Sequence, residues 1–391
     1  MEKGKVVLAY SGGLDTSICI PLLRERYGFD EVITVVVDVG QPADDIAAAE
    51  KKGRTLADQH VTIDARERFV RDFVFPSVKA NASYEGYPVG TALARPVIAE
   101  EVVQVAERIG AEAIAHGCTG RGNDQLRFDF VIRSSGFRVI APVREMNLTR
   151  EWEKGIPVAA VRESPYSIDE NCWNRSIEGG RLEDPAFHPP EEIYRWTASP
   201  GSAPQEADIV TITFERGIPT QIDGVRMKGI DLVTEMNVRA GSNGIGRNDM
   251  IEDRILGLKA REVYEHPAAT ALITAHRDLE QLVLSRQELA FKRSVDDRWA
   301  ELAYMGLVYE PLFWALSAFI DKTQERVNGT VDLRMHKGSL HPVGRTSPNS
   351  LYAPDLVSFD STCLDQATAE GFSRYFGLQA QILRTMRKKQ R

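Results

Sequence analysis

Two glycine-rich segments hold most of the chemistry legible in this sequence. The first is Ala9-Tyr10-Ser11-Gly12-Gly13-Leu14-Asp15-Thr16-Ser17. Its glycines allow backbone N–H groups to approach an oxyanion, and a helix starting beyond them turns its positive end to the same spot. Ser11, Thr16 and Ser17 add hydroxyls, so the segment reads as a cradle for phosphate or pyrophosphate. Unlike the GxxxxGK[ST] loop, it has no closing lysine. That difference points to chemistry at the α-phosphorus rather than γ-phosphoryl transfer. Asp15 is placed to hold Mg²⁺ against the phosphates, because Mg²⁺ takes one or two carboxylates plus phosphate oxygens. The plainer alternative is a tight turn with Asp15 as a helix-start carboxylate.

The second segment is His116-Gly117-Cys118-Thr119-Gly120-Arg121-Gly122-Asn123-Asp124-Gln125-Leu126-Arg127-Phe128. Thr119 and Asn123 can donate to a carboxylate, and Asp124 can receive an ammonium. Arg127, one helical turn beyond Asn123, can fork onto a carboxylate. A site with both an acid and bases suits an amino acid. Asn123 as a helix cap with Asp124 complementing the dipole is the alternative, but a cap does not require three nearby glycines.

These segments need elements to position them. Val6 to Ala9, Val32 to Val37, Val61 to Ile63, Ala113 to Ala115 and Val139 to Ala141 read as short strands. Helical patterns run from Asp15 to Arg26, Ala43 to Asp58, Ala94 to Ile109 (with Pro96 in its first turn) and Asn123 to Arg133. Alternating strand and helix implies an α/β fold, an open parallel doubly wound sheet. Both glycine segments follow strands, so both face the crevice outside the strand carboxyl ends. From about Ser164 to residue 205 the chain reads as irregular. Beyond it, Asp208 to Ile222 and Val331 to Val343 read as hairpins, and Gly229 to Arg239, Ala268 to Phe291 and Val295 to Thr323 as helices. The expected organisation is a nucleotide-binding domain at 1–165, an α+β second domain at 166–360 and a basic amphipathic C-terminal helix within 361–391.

Composition narrows the function classes. The 391 residues carry a formal net charge of −8, which does not favour nucleic acid or an anionic membrane. Cys19, Cys118, Cys172 and Cys363 form no CxxC pair and read as free thiols. No apolar stretch is long enough to span a bilayer and no signal-peptide pattern opens the chain, so a cytoplasmic protein is expected. The sequons at Asn81 and Asn147 then read as chance matches. His336 and His341 fit no metal motif. Trp299, Tyr304, Tyr309, Phe313 and Trp314 read as core packing.

The two glycine segments, taken together, resemble signatures of the argininosuccinate synthase family, within the adenine-nucleotide α-hydrolase-like fold with a pyrophosphatase-type loop. The resemblance extends through Gly90-Thr91-Ala92-Leu93-Ala94-Arg95-Pro96, Tyr166-Ser167-Ile168-Asp169-Glu170-Asn171, Gly244 to Arg254 and Gly344 to Tyr352, nearly the whole length. It implies an AMP-forming ligase: the ureido oxygen of citrulline attacks the α-phosphorus of Mg·ATP, pyrophosphate leaves, and the amine of aspartate displaces AMP from citrullyl-AMP. It implies that residues 9 to 17, Val37 and Gly117 hold ATP, and that Thr119, Asn123 and Asp124 hold aspartate. For citrulline it implies Tyr87, Thr91, Asn123, Arg127, Ser167, Ser176, Glu252 and Tyr264. Asp15 and Asp124 are the catalytic candidates. A homotetramer is implied, with the basic C-terminal helix docked on a neighbouring subunit. Ala92 stands where many members have serine, and Val37 where alanine is common. The first change either loses a hydrogen bond to citrulline or passes it to Thr91.

Two rivals share parts of this reading. A tRNA-modifying enzyme with the same loop would want catalytic cysteines and a basic RNA-binding domain, neither of which is visible. A non-catalytic adenine-nucleotide sensor would need little beyond residue 165.

Overall fold

The computed structural model describes residues 4–145 and 165–389. The Asn147 sequon, the expected boundary near Ser164 and Arg391 lie outside them. By contact the chain divides into residues 1–349 and 350–391, each described on its own.

The first unit opens with β1 (Lys5–Ala9), α1 (Leu14–Glu25), β2 (Glu31–Asp38), α2 (Ala43–Leu56) and β3 (Gln59–Asp64). Two short helices, α3 (Arg66–Phe69) and α4 (Phe75–Lys79), and a small ribbon of β4 (Ser83–Tyr84) and β5 (Tyr87–Pro88) lead to α5 (Thr91–Ile109). Then come β6 (Ala113–His116), α6 (Asp124–Ser134), β7 (Arg138–Ile140) and α7 (Pro142–Glu145). The sheet is wholly parallel, in the order β3-β2-β1-β6-β7. Alternation along β1 shows why both faces are covered. Val7 and Ala9 enter one core with Val97 of α5, while Val6, Leu8 and Tyr10 enter another with Ile20 and Leu23 of α1. Such strands read as continuous apolar runs. Ala9 lies beside His116 across the β1–β6 pair, where the strand order reverses. The loops after these two strands therefore open onto one crevice.

α5 begins three residues earlier than its pattern predicts, so Pro96 sits inside the helix rather than in the first turn. Gly90 marks the true start. A Cβ there would stand 2.2 Å from the Asn174 side chain.

The region from 165 to 205 is not wholly irregular. It holds β8 (Ser167–Glu170) and β9 (Arg175–Glu178). After them come β10 (Asp208–Glu215), β11 (Ile218–Ile222), β12 (Val225–Arg226), α8 (Gly229–Ser242), β13 (Arg247–Asp253) and β14 (Lys259–Glu265). α9 (Pro267–Val283), α10 (Arg286–Met305), α11 (Pro311–Gln324), β15 (Gly329–His336) and β16 (Ser339–Thr346) complete the unit. β13-β14-β9-β8 form an antiparallel sheet, and β12-β11-β10-β15-β16 form another. Both expected hairpins form, within the spans read from the sequence. Arg216-Gly217 and Lys337-Gly338 have positive φ, as a tight hairpin requires.

The long helices divide differently from their periodicity. The break falls at Ser285, whose hydroxyl accepts from the Glu288 N–H at 3.3 Å while the Glu288 carboxylate accepts from the Ser285 N–H at 2.9 Å. This reciprocal capping box starts α10. Gly306 ends it with φ +76°.

The second unit contains α12 (Pro354–Val357), α13 (Ala369–Tyr375) and α14 (Leu378–Lys389). The α14 side chains Leu378, Ile382, Leu383 and Met386 are exposed.

Candidate active site

The phosphate loop is held by contacts that demand glycine. Gly12 has φ +75°, and a Cβ on it would lie 2.6 Å from that of Ala49 on α2. Gly13 precedes α1 with no side-chain cap, leaving the first N–H groups of the helix as the loop's donors. Ser11 Oγ and Thr16 Oγ1 are 3.2 Å apart, and Thr16 donates to the Gly13 carbonyl. Ala9, Tyr10, Ser11, Gly12, Gly13, Asp15, Thr16, Val37 and Gly117 line a cavity of about 590 Å³. Leu14 and Ser17 are not among its walls. The Ser17 hydroxyl donates to the Gly13 carbonyl at 2.8 Å and shares a 2.9 Å hydrogen bond with Tyr10, so it braces the loop from behind.

A cation reaches this loop after all. Lys52 Nζ on α2 donates to the Gly12 carbonyl at 3.0 Å and lines the same cavity. No loop motif could reveal it, because it lies on another element.

The second glycine segment starts at β6. The Cys118 N–H donates to His116 Nδ1 at 3.3 Å, so Nε2 carries the ring proton toward Asp129 at 2.9 Å. Gly117 packs on the first loop. Asn123 does not cap α6 with its side chain. Its amide donates to the Tyr304 hydroxyl at 2.9 Å and accepts from the Ile255 N–H at 3.0 Å. Arg127 donates through Nε to the Tyr304 carbonyl at 2.9 Å and through Nη1 to Asp124 at 2.8 Å. Part of its fork is thus already engaged by the protein.

A smaller cavity of about 290 Å³ gathers Tyr87, Thr91, Thr119, Asn123, Asp124, Arg127, Ser167, Ser176, Glu252 and Tyr264. These come from six separated stretches of sequence. Ala92 lines it too, beside Thr91, whose hydroxyl accepts from Asn174 Nδ2 at 3.2 Å. At one end, buried Glu252 accepts hydrogen bonds from three phenols: Tyr87 at 2.7 Å, Tyr264 at 2.8 Å and Tyr304 at 2.6 Å. Tyr304 packs in the core as expected, and its hydroxyl reaches this cavity as well. Glu178, Glu262 and Arg254 also line this end. Burial, with Glu252 and Glu178 adding to it, pushes the Glu262 carboxyl up to about 8. Tyr87 and Tyr264 are held well above the usual phenol value, first by burial.

The two cavities share Asp15, Gly117, Cys118, Asp124 and Asp169. Arg95, also missed as a site residue, spans this seam. Its Nε donates to Asp124 at 2.9 Å and its Nη2 to Asp169 at 2.6 Å. Burial works to raise the Asp124 carboxyl, but Arg95 and Arg127 outweigh it and hold it below the usual range. Burial raises the Cys118 thiol well above its ordinary value, with Asp124 adding to the effect, so it stays protonated at neutral pH.

A glycine loop at the switch point of a parallel sheet, opening onto a second pocket lined by carboxylates, hydroxyls and an arginine, fits an ATP-dependent adenylating ligase. Comparison with known proteins narrows this class. Residues 5–160 match the arginosuccinate synthase N-terminal HUP domain, and residues 166–383 match the arginosuccinate synthase C-terminal domain. An argininosuccinate synthase from Methanospirillum hungatei is 62% identical over all of both chains. One from Archaeoglobus fulgidus is 62% identical over 98% of this chain and 99% of its own. One from Methanocaldococcus jannaschii is 53% identical, again over 98% and 99%. The chain belongs to the argininosuccinate synthase family, the AMP-forming ligases of arginine biosynthesis.

Proposed function

We propose that the protein joins L-citrulline to L-aspartate, using ATP and releasing AMP and pyrophosphate through citrullyl-AMP. The carrying observation is the seam: a phosphate-loop cavity and an amino-acid pocket meet at Asp15, Gly117, Cys118, Asp124 and Asp169. A ureido oxygen and an α-phosphorus entering from the two cavities would meet at that seam.

ATP lies along residues 9 to 16 with Val37 and Gly117, braced by Ser17, while Lys52 faces its phosphates. Asp15, which lines both cavities, would hold the Mg²⁺ that arrives with ATP, since one carboxylate plus phosphate oxygens and water suffice for that ion. Citrulline occupies the smaller cavity. Each phenol that donates its proton to Glu252 keeps lone pairs with which to accept from an ammonium or ureido N–H. Ser167, Ser176, Thr91 and Arg127 supply donors. Aspartate enters over Thr119, Asn123 and Asp124. Positioning and fixed charge carry the adenylation step, since no nucleophilic side chain is needed for it.

We assign residues 1–165 to nucleotide binding, 166–360 to the synthetase function and 361–391 to oligomerisation. The exposed apolar residues of α14 support its docking on another subunit of a cytoplasmic homotetramer. The protonated state of the Cys118 thiol gives no support to a sulfur-transferring, tRNA-modifying alternative. The test is ATP–pyrophosphate exchange with Mg²⁺ and citrulline, repeated with aspartate present. Citrulline-dependent exchange is expected. If AMP fails to form even with both amino acids, the ligase reading falls.

A further inference from the structure

The ligation has a proton to dispose of, and nothing above assigns its acceptor. Aspartate arrives as an ammonium, whereas only the neutral amine attacks citrullyl-AMP. Resting on the proposed function, the carbon under attack sits at the seam between the two cavities, so the acceptor must sit there too. Four ionisable groups line both cavities: Asp15, Cys118, Asp124 and Asp169. Asp15 belongs to the phosphate loop. The Cys118 thiol is already protonated. Asp124 has both oxygens occupied, one by Arg95 and one by Arg127.

Asp169 differs from these three. Its Oδ2 accepts from Arg95, and a third (33%) of its side chain is open. β8 places it opposite Ser176 of β9, so both side chains face the smaller cavity. Thr91 and Arg95, one helical turn apart on α5, approach it from the other side. We propose that Asp169 is the general base of the second half-reaction, accepting a proton from the α-ammonium of aspartate.

The charged groups facing Asp169 are Arg95 of α5 and Asp124 of α6, with the Thr91 hydroxyl beside them. Burial raises its carboxyl, Arg95 lowers it and Asp124 raises it, with the net result above the usual aspartate value. Asp124, on the same guanidinium, goes the other way. Two carboxylates driven apart in this manner suit separate tasks, one a fixed charge and one a proton acceptor.

Asp169 takes one proton from the ammonium, and the freed nitrogen lone pair forms the N–C bond to the cationic isouronium carbon of citrullyl-AMP. The C–O bond to AMP breaks with its electron pair going to the phosphate oxygen. That oxygen takes the second proton from nitrogen, which leaves a guanidinium product and AMP.

The test is rapid-quench single turnover with ATP, Mg²⁺, citrulline and aspartate, comparing wild type with Asp169→Asn. In the variant, pyrophosphate should still form at a rate within about threefold of wild type. Argininosuccinate formation should slow on the order of 100-fold, the scale of a lost general base, so that citrullyl-AMP accumulates. The KM for aspartate should change little. Equal slowing of both steps, or of neither, overturns the proposal. Absence of pyrophosphate release in wild type would instead overturn the ligase reading itself. If the asparagine variant does not fold, wild-type enzyme carries the test. Its rate from citrullyl-AMP to product should fall as the pH drops through one group titrating above the ordinary aspartate value, and a profile with no such acidic limb contradicts the assignment.

Discussion

Gly117 lies so close to Thr16 that a Cβ at position 117 would stand 2.9 Å from the threonine methyl and 3.1 Å from its backbone nitrogen. The contact joins the ends of β1 and β6 and brings the phosphate loop against the amino-acid pocket. Gly117→Ala should therefore push the loops apart. We expect a raised KM for ATP and a loss of about 1–3 kcal/mol of stability, the usual cost of overpacking. Steady-state kinetics and thermal melting check both, and wild-type values in each would show that the loops do not depend on this approach.

Lys52 provides a second check on the nucleotide cavity. Lys52→Met keeps most of the side-chain length but removes the ammonium beside Gly12. The KM for ATP should rise about tenfold, equivalent to about 1.4 kcal/mol, with the KM for citrulline unaffected. A larger effect on citrulline than on ATP would place the lysine elsewhere in the reaction.

Asp124 separates the two half-reactions from the aspartate side. Asp124→Asn preserves shape while weakening its bonds to Arg95 and Arg127. Use of aspartate should be impaired, with citrulline-dependent pyrophosphate release largely intact. The alanine version is a poorer probe, because leaving a charge unpaired in such a cluster costs about 3–5 kcal/mol. Equal loss in both half-reactions of the asparagine variant would remove Asp124 from the aspartate site.

Tyr304 tests the pocket end. Tyr304→Phe removes a 2.6 Å bond to Glu252 and leaves the Asn123 amide without its partner. The cost should be about 1–3 kcal/mol, read as a higher KM for citrulline. An unchanged KM would return Tyr304 to a packing role.

Glu262 predicts a pH dependence. Its carboxyl is raised to about 8 by burial, then by Glu252 and Glu178. An unfolded glutamate titrates near about 4.3. Between those values the native state keeps a proton that the unfolded state has lost, so stability falls as pH rises, by up to about 1.4 kcal/mol per unit. Glu262→Gln should narrow the drop in melting temperature between pH 5 and pH 8. An identical drop would contradict the shift.

What the sequence showed, and what it hid, follows from range. The parallel sheet and both glycine loops depend on local signals: apolar runs, glycines and helix starts within a few residues. The residues drawn from distant elements were harder. Tyr304 and Lys52 sit on helices whose periodicity reports burial or exposure, not which site their polar ends reach. Arg95 and Asp169 lie inside segments noticed for other residues. Glu262 was within reach, since strand alternation puts it on the same face as Tyr264. Ser285-Arg286-Gln287-Glu288 likewise carried the capping signature that divides α9 from α10. β8 and β9 have no such signal, because polar residues of both line a cavity and the strand that joins the pair to the rest of its sheet, β14 beside β9, is remote in sequence.

The most direct test of the account follows an oxygen atom. Citrulline labelled with ¹⁸O in its ureido group, incubated with the enzyme, Mg·ATP and aspartate, should pass its label to the phosphate of AMP, one ¹⁸O per argininosuccinate formed. That result requires a bond between the ureido oxygen and the α-phosphorus. AMP free of label, with argininosuccinate still formed, would contradict citrullyl-AMP as the intermediate.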